Sequence, residues 1–457
     1  MWFPMLFAVA CWCGALSSVS APMVVGYVVL VGAFLLRNRG LLLVGGFVAA
    51  AVFAANAHGG LQPLSPQEFS GQVTLLDNPQ EFPGRLTVDV SSDVGRLRLE
   101  AKGESALAIQ KFDAGARLTV NGTLRPLARP ERVRSRHLRM SLVATEVVDV
   151  HAVPLWRLPV DGARNIVERG ASVLPASQRP VYSGFVIGDD RGSDPEVNRT
   201  FEESGLSHLL VVSGQNVVFI LAVMAPLTQR LGRRTQMVVL IAIILFFAAV
   251  TRFEPSILRA SVMAMIAIVA SRSGHLIRPF HRLALAVSLL VLIDPLLVYS
   301  FGFRLSLAAT AGIALLATRC EKALRGPQWF RNVLSVTIAA QAGVAPLVIP
   351  AFGPMPLASL PANVLAGPIA GFVMMWGSSV GLLAGVIGGW PAFVLQLPVR
   401  LGLWWIMSVA EQCSRLPLPD VGAESLVIFG AAVAVIFSFR RLRVRRRYGR
   451  WSPPESG

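Results

Sequence analysis

The sequence predicts a polytopic α-helical membrane protein of about 12 spans, some of them broken, with a small all-β domain inserted on the outer face after the third span. Three observations predict it. Of 457 residues, 54% are hydrophobic and the mean hydropathy is +0.59, well above soluble domains. Apolar runs of bilayer-spanning length recur along the chain, except between about residues 65 and 150, where short β-type runs alternate with turns. Arginine clusters separate the apolar runs in an order that assigns one side of the membrane consistently. The charge balance is 42 Lys+Arg against 26 Asp+Glu, nearly all of it arginine, since the only lysines are Lys102, Lys111 and Lys322. High-GC codon usage plus basic cytoplasmic loops account for such an excess; so does an anionic cargo, because guanidinium grips phosphate bidentately.

The N-terminal membrane block, residues 1–60, carries apolar runs at about 2–19, 22–36 and 40–56. Arg37 and Arg39, between the second and third, place that loop in the cytoplasm, so Met1 lies inside and the segment after Asn56 outside. No basic stretch precedes the first run, which reads as a retained span rather than a cleaved signal. Cys11, Cys13, Cys320 and Cys413 fall in or beside apolar segments, so no disulfide framework is legible.

Residues 65–150 change character. Runs at 69–76, 85–91, 95–101, 117–124 and 141–150 read as five short strands, separated by turn residues such as Pro83-Gly84 and Asn121-Gly122. Five strands in about 85 residues suit an OB-like barrel, a fold often used for oligonucleotides. The connection 125–139 carries Arg125, Arg129, Arg132, Arg134, Arg136, Arg139 and His137 against one acid, Glu131. It is either a solvated basic loop or an electrostatic landing strip for a polyanion. Aromatic residues are too scarce here for a strong stacking platform.

Residues 151–204 form the next segment. Its first part, about 155–177, has the pattern of an amphipathic helix on the membrane surface. Asp189, Asp190 and Arg191 then sit in a glycine-flanked turn, read as an outer lip, with Asp194-Pro195-Glu196 starting a helix. Capping explains the two aspartates more simply than a metal. From 205 to 438 a second membrane block has runs near 206–228, 235–251, 255–271, 282–298, 300–317, 332–350, 357–388, 392–412 and 424–438. Basic clusters at 230–234, 272–282, 319–331 and in the tail 439–457 all fall inside if 357–388 crosses once, as one long or broken element. Both termini are then cytoplasmic.

The 206–228 run opens with residues a purely structural span would not use: His208, Ser213, Gly214, Gln215 and Asn216. Taken as a helix throughout, it brings His208 and Gln215 almost into line, with Asn216 about 80° and Ser213 about 140° away, one broad polar face. Such a face looks at protein or at water; it serves helix–helix hydrogen bonding or a pore wall. The angle between His208 and Ser213 does not suit a hydrolase pair. Arg259 and Arg304 sit early in their spans, as snorkelling anchors or as an anion path. Gln341, Asn363 and the Gly/Pro-rich stretch 343–371 predict broken helices, which membranes tolerate only beside protein or a cavity. The sequence has no GxxxxGK[ST], HExxH or CxxC motif, so no cofactor, metal or catalytic residue is expected, and the reading is a channel or transporter rather than an enzyme.

The run 188–217, GDDRGSDPEVNRTFEESGLSHLLVVSGQNV, resembles the signature of the ComEC/Rec2 family, inner-membrane DNA channels of natural transformation. The resemblance continues, in the family's order, through 255–260 (PSILRA), Asp294-Pro295, 302–306 (GFRLS), Ala340-Gln341, Pro346, Phe352-Gly353 and Ala362-Asn363. It covers about 180–390, and the β domain is similar in position to the family's external OB-like domain. The resemblance implies single-stranded DNA in transit, an external DNA receptor and a cytoplasmic helicase or ATPase. Gln215-Asn216 stand where the family often has Leu-His. Many members also carry a metallo-β-lactamase-like domain with no counterpart here, so strand degradation would fall to a separate nuclease. Two alternatives are carried beside the channel. A secondary transporter for a small organic anion needs coupling acids, and the spans offer only Glu254 and Asp294 near their ends. A structural scaffold would dock uptake machinery through the β domain. Oligomeric state is left open.

Overall fold

Small residues let the first three helices pack closely. Helices α1 (Phe3–Leu16) and α2 (Met23–Leu35) lie against α3 (Arg39–Gly59), whose Gly45, Gly46, Ala49 and Ala50 are buried; in hydrocarbon such contacts depend on close backbone approach. Asn38 caps α3, its side chain accepting from the Gly40 amide at 2.9 Å. The computed structural model describes residues 2–17, 19–36, 38–151, 157–189, 191–272, 277–422 and 424. Arg37, Asp190, the 424–438 run and the basic tail therefore lie outside the described residues, as does the side chain of Arg132.

The β domain follows the sequence closely. Strands β1 (Gln67–Leu75), β3 (Arg85–Ser92), β4 (Gly95–Ala101), β5 (Arg117–Arg125) and β6 (Leu138–His151) match the five expected runs, with β2 (Gln80–Phe82) as a short addition. Neighbours run β1–β3–β4–β6–β5 and back to β1, antiparallel except for the parallel β4–β6 pair, so the ring closes into a small barrel. Alternate residues point inward, among them Val73, Leu75, Val88, Val90, Leu97, Leu99, Leu118, Val120, Met140 and Leu142, all fully or almost fully buried. Closure removes the exposed edges that an open sheet would leave. Helix α4 (Gly103–Gln110), which the strand pattern did not predict, covers the core with Ile109. The basic connection holds α5 (Pro130–Val133) and a 3-10 turn over Arg134–Arg136.

After the barrel come α6 (Leu158–Ala171), α7 (Arg179–Ile187), α8 (Pro195–Glu203), α9 (Gln215–Thr228), α10 (Arg233–Val250), α11 (Pro255–Arg272), α12 (Pro279–Ile293), α13 (Phe301–Ala323), α14 (Gln328–Phe352), α15 (Ser359–Gly377), α16 (Val380–Ile387) and α17 (Gly389–Ser414), with a two-stranded β7 (Met355–Pro356) and β8 (Asp420–Val421). Among the described residues six helices are long and apolar enough to cross a membrane, namely α3, α10, α13, α14, α15 and α17, and five are shorter apolar helices. The 357–388 run is broken, α15 ending before Ser378-Ser379 and α16 resuming at Val380.

One expectation fails. The 206–228 run is not one helix: 206–214 holds a 3-10 turn at Ser207–Leu209 and irregular backbone, and α9 begins only at Gln215. Fourteen residues rise about 21 Å, short of a hydrocarbon core of about 30 Å. The helical-wheel face built from His208 to Asn216 therefore does not exist. The Gly205 and Ser213-Gly214 steps, not hydropathy, set where the helix starts.

The chain divides into two compact units: Met1–Val197 with His208–Leu307 and Pro368–Ile406, and Asn198–Ser207 with Ala308–Gly367 and Met407–Gly457. The first holds the barrel and most of the predicted site. In it α6 packs on α16. A Cβ on Gly385 would fall 1.9 Å from the Ile166 carbonyl oxygen, so only glycine permits this approach. The inward face of α6, with Val160, Arg164 and Val167, is thus covered by protein.

Candidate functional site

Two buried clusters of charge lie in the first unit, and they are built on opposite principles. The first centres on Asp189, just beyond α7, whose carboxylate is 5% exposed. Its Oδ2 accepts from Arg164 at 2.7 Å, Arg191 at 2.8 Å and Asn78 Nδ2 at 3.0 Å, and its Oδ1 from Arg191 Nε at 2.9 Å. Arg191 also reaches Asp113 of the barrel and Glu168 of α6. Arg164 donates to the last carbonyl of α10, Val250, at 2.6 Å. Arg252, in the turn after α10, donates to Asp77 at 2.6 Å and to Asn78. Burial alone would raise the Asp189 carboxyl, but hydrogen bonds and charge from Arg191, then charge from Arg164 and Arg252, hold it down at about 2. Burial conversely pushes the Arg164 guanidinium down and the Glu168 carboxyl up. Every charge is matched, and the network ties the barrel to α6, α7 and α10.

A second contact holds the barrel from the basic connection. His137 Nε2 lies 3.0 Å from Asp294 Oδ2, while Asp294 Oδ1 caps the turn Pro295–Tyr299 through the Leu296 amide. The Arg134 guanidinium stacks 4.8 Å from the Tyr299 ring centroid. Arg139 donates to the carbonyls of Gln62 (2.7 Å) and Val94 (3.1 Å), and Arg136 to Asp89 at 2.9 Å. Arg125 and Arg129 are exposed. Of the seven residues proposed as a landing strip, the structure thus places four in contacts within the chain, of which Arg136 is still exposed, and presents Arg125 and Arg129 to solvent. Both barrel contacts use strained backbone: His137 (φ 59°), Arg252 (φ 56°) and Phe253 (φ 54°) are the non-glycine left-handed residues among those described. Such conformations persist where surrounding contacts over-determine them.

The second cluster lies where α9, α11 and α13 begin. Arg259, one turn into α11, is 8% exposed. Its Nε donates to Ser306 Oγ at 2.7 Å and its Nη1 approaches Met263 Sδ at 3.3 Å. Both partners are neutral, and among the described residues no carboxylate pairs with it. Gly214, the N-cap of α9, makes room: a Cβ there would lie 2.9 Å from Arg259 Nη2. Ser256 Oγ ties this segment to α11 through the Val212 carbonyl at 2.9 Å. Ser213 receives the Gln215 amide at 3.3 Å, and Gln215 is exposed beside it. The positive end of a helix dipole next to a guanidinium without an acidic partner is a setting that favours an anion. Arg304, early in α13, stacks 5.5 Å from the Phe301 ring centroid, and its buried Nε has no hydrogen-bond partner.

Asn216 does not line this cluster. It is 1% exposed and donates to the Phe185 carbonyl at 2.7 Å, pinning α9 to α7. His208 is exposed in the 3-10 turn that precedes the cluster. Gln341 and Asn363 belong to the second unit, where both meet Ser359 at the start of α15: Gln341 Nε2 donates to Ser359 Oγ at 2.8 Å and Asn363 to the Ser359 carbonyl at 2.8 Å.

Residues 185–447 match the model of the family described as Competence protein, more than half the chain. The chain belongs to the competence protein family. The ComEC/Rec2 resemblance read from its motifs stands on that match. ComE operon protein 3 of Bacillus subtilis (strain 168) is 25% identical over 283 residues, covering 60% of this chain and 35% of that protein. An uncharacterized protein of Aquifex aeolicus (strain VF5) is 26% identical over 171 residues, 37% of this chain and 40% of its own. The matched stretches thus take in well under half of either relative. No solved structure matches. Within this competence-family chain the sequence reading missed Asn78, Asp113, Arg164, Glu168 and Arg252. Arg164 had a signal, a cation on the apolar side of an amphipathic helix; the barrel residues had none, since turn aspartates and asparagines are ordinary.

Proposed function

We propose that this chain is the cytoplasmic-membrane channel through which a single DNA strand enters the cell during natural transformation. On this reading both termini are cytoplasmic and the barrel is external. It meets DNA delivered by a receptor, with Arg125 and Arg129 as the contacts left open to solvent. A cytoplasmic helicase or ATPase supplies the work. The observation that carries the proposal is Arg259, a buried cation bound only by neutral groups beside a helix N-terminus. An unpaired buried charge is costly, and a passing phosphodiester supplies the missing anion only while it passes. The residues of the conducting surface are then Ser213, Gly214, Gln215, Arg259 and Arg304, with His208 at its approach. Sparse contacts suit transport, because a polyanion held at many points would not move. The barrel contacts support the topology: they fall at the end of α3, the α10–α11 turn and the α12–α13 turn. Those are the helix ends away from the basic clusters that flank α10–α12.

The test is uptake of labelled DNA into a DNase-resistant pool, comparing wild type, a deletion strain and Arg259→Ala. Wild-type uptake in the deletion strain, with no second copy of the gene present, would end the channel reading. Uptake lost in the deletion but normal in Arg259→Ala would keep the channel and move its anion contact elsewhere.

A further inference from the structure

A cavity of about 290 Å³ opens where the end of α3 meets the basic connection of the barrel, and nothing above uses it. Its wall carries His58, Arg134 and Arg139, and its remaining lining is chiefly Leu61, Pro126 and Leu127, with no carboxylate. We propose that this cavity binds the phosphate headgroup of an anionic phospholipid.

Four features carry the inference. The Arg134 side chain makes no ion pair or hydrogen bond among the described residues; it is held only by its stack on Tyr299, whose ring also takes the edge of His58 at 5.6 Å. Its five donors are thus positioned but unspent. Arg139 donates to Gln62 and Val94, which orients its guanidinium and leaves further N–H groups, since two of five are engaged. Most of the carbonyls that would repel an anion at the C-terminus of α3 accept hydrogen bonds: Asn56 from the Gly60 amide, His58 from Leu61, Gly59 from Gln62, and Ala54 from His58 Nδ1 at 2.7 Å. Finally, the cavity adjoins the end of a 21-residue apolar helix able to cross a membrane, with an aromatic and two arginines at that level, the residue types found at bilayer interfaces. The leucine and proline lining suits the glycerol and first methylenes of a lipid better than the sugars of a nucleic acid strand. The inference needs α3 to cross a membrane and does not depend on Arg259 or on DNA passage.

The experiment is native mass spectrometry of the full chain, delipidated in detergent and titrated with phosphatidylglycerol or phosphatidylcholine. The variants are Arg134→Gln and Leu127→Glu; the second leaves both arginines in place and puts a carboxylate in the cavity, and thermal melts confirm that both fold. One phosphatidylglycerol should be retained in preference to phosphatidylcholine, and each variant should weaken it by about fivefold or more, as expected for one interfacial arginine. Equal retention of the two lipids by wild type, or unchanged phosphatidylglycerol retention in both folded variants, would overturn the proposal. So would a short oligonucleotide that displaces the lipid and is itself lost in the same variants, for the site would then be nucleic-acid phosphate binding.

Discussion

Asp189 and Arg259 are both buried charges within one compact unit, and the chain treats them differently. Around Asp189 the carboxylate meets two arginines and an asparagine, drawn from the barrel, α6 and the turn after α7. Around Arg259 a hydroxyl and a thioether stand in for an acid. A matched cluster has its ligands inside the chain and serves to hold parts together. An unmatched one leaves part of its electrostatic energy for a ligand. The distinction separates the residues that fasten the barrel from the residues that would meet a phosphate, where sequence reading had Asp189 and Arg191 only as an outer lip and Arg259 as an anchor or an anion path.

Substitution of Asp189 should produce the largest effect. Asp189→Ala strands Arg164 and leaves Arg191 its more exposed partners, at a cost of about 3–5 kcal/mol, read as a lowered thermal midpoint and faster proteolysis at the barrel junction. An unchanged midpoint would mean the network is not the fastening. Arg259→Met separates the two clusters most sharply: DNA uptake should fall by about a hundredfold or more while thermal stability is kept or rises, because no ion pair is lost. A midpoint drop as large as that of Asp189→Ala would make Arg259 structural.

Acid should loosen the first cluster. The Asp189 carboxyl is depressed in the folded chain, from an ordinary 3.8 to about 2, so its contribution is present above about pH 3.8 and is lost as pH falls toward 2. That is about 2 kcal/mol at most. Protection of the amides of residues 76–78 against exchange, relative to their intrinsic rates, should fall over this window, and Asp189→Asn should remove the dependence. The smallest effect belongs to the basic connection. Arg125→Gln with Arg129→Gln should weaken binding of DNA to the full chain a few-fold at low salt and flatten its salt dependence. No change would leave these arginines as solvated surface.

The sequence by itself determined the membrane class and the five barrel strands to within a few residues, because hydropathy and period-two alternation are local properties. It left 357–388 as one long or broken element, and the fold put the break at Ser378-Ser379, beyond the Gly/Pro-rich stretch. The sequence also brought out the motif 213–216 and Arg259 as chemically unusual for a membrane span. Tertiary structure alone decided what they do. Asn78 and Asp189 stand 111 positions apart, and Arg252 and Asp77 175, so no window of sequence contains either pair. The same holds for the face built on 206–228: a helical period was assumed across Ser213-Gly214, where the backbone starts a new helix. Asn216 was legible as polar, but only the fold shows that its donor is used on Phe185. Whether a buried charge fastens or waits depends on which groups the fold brings to it, and for Arg259 it brought neutral ones.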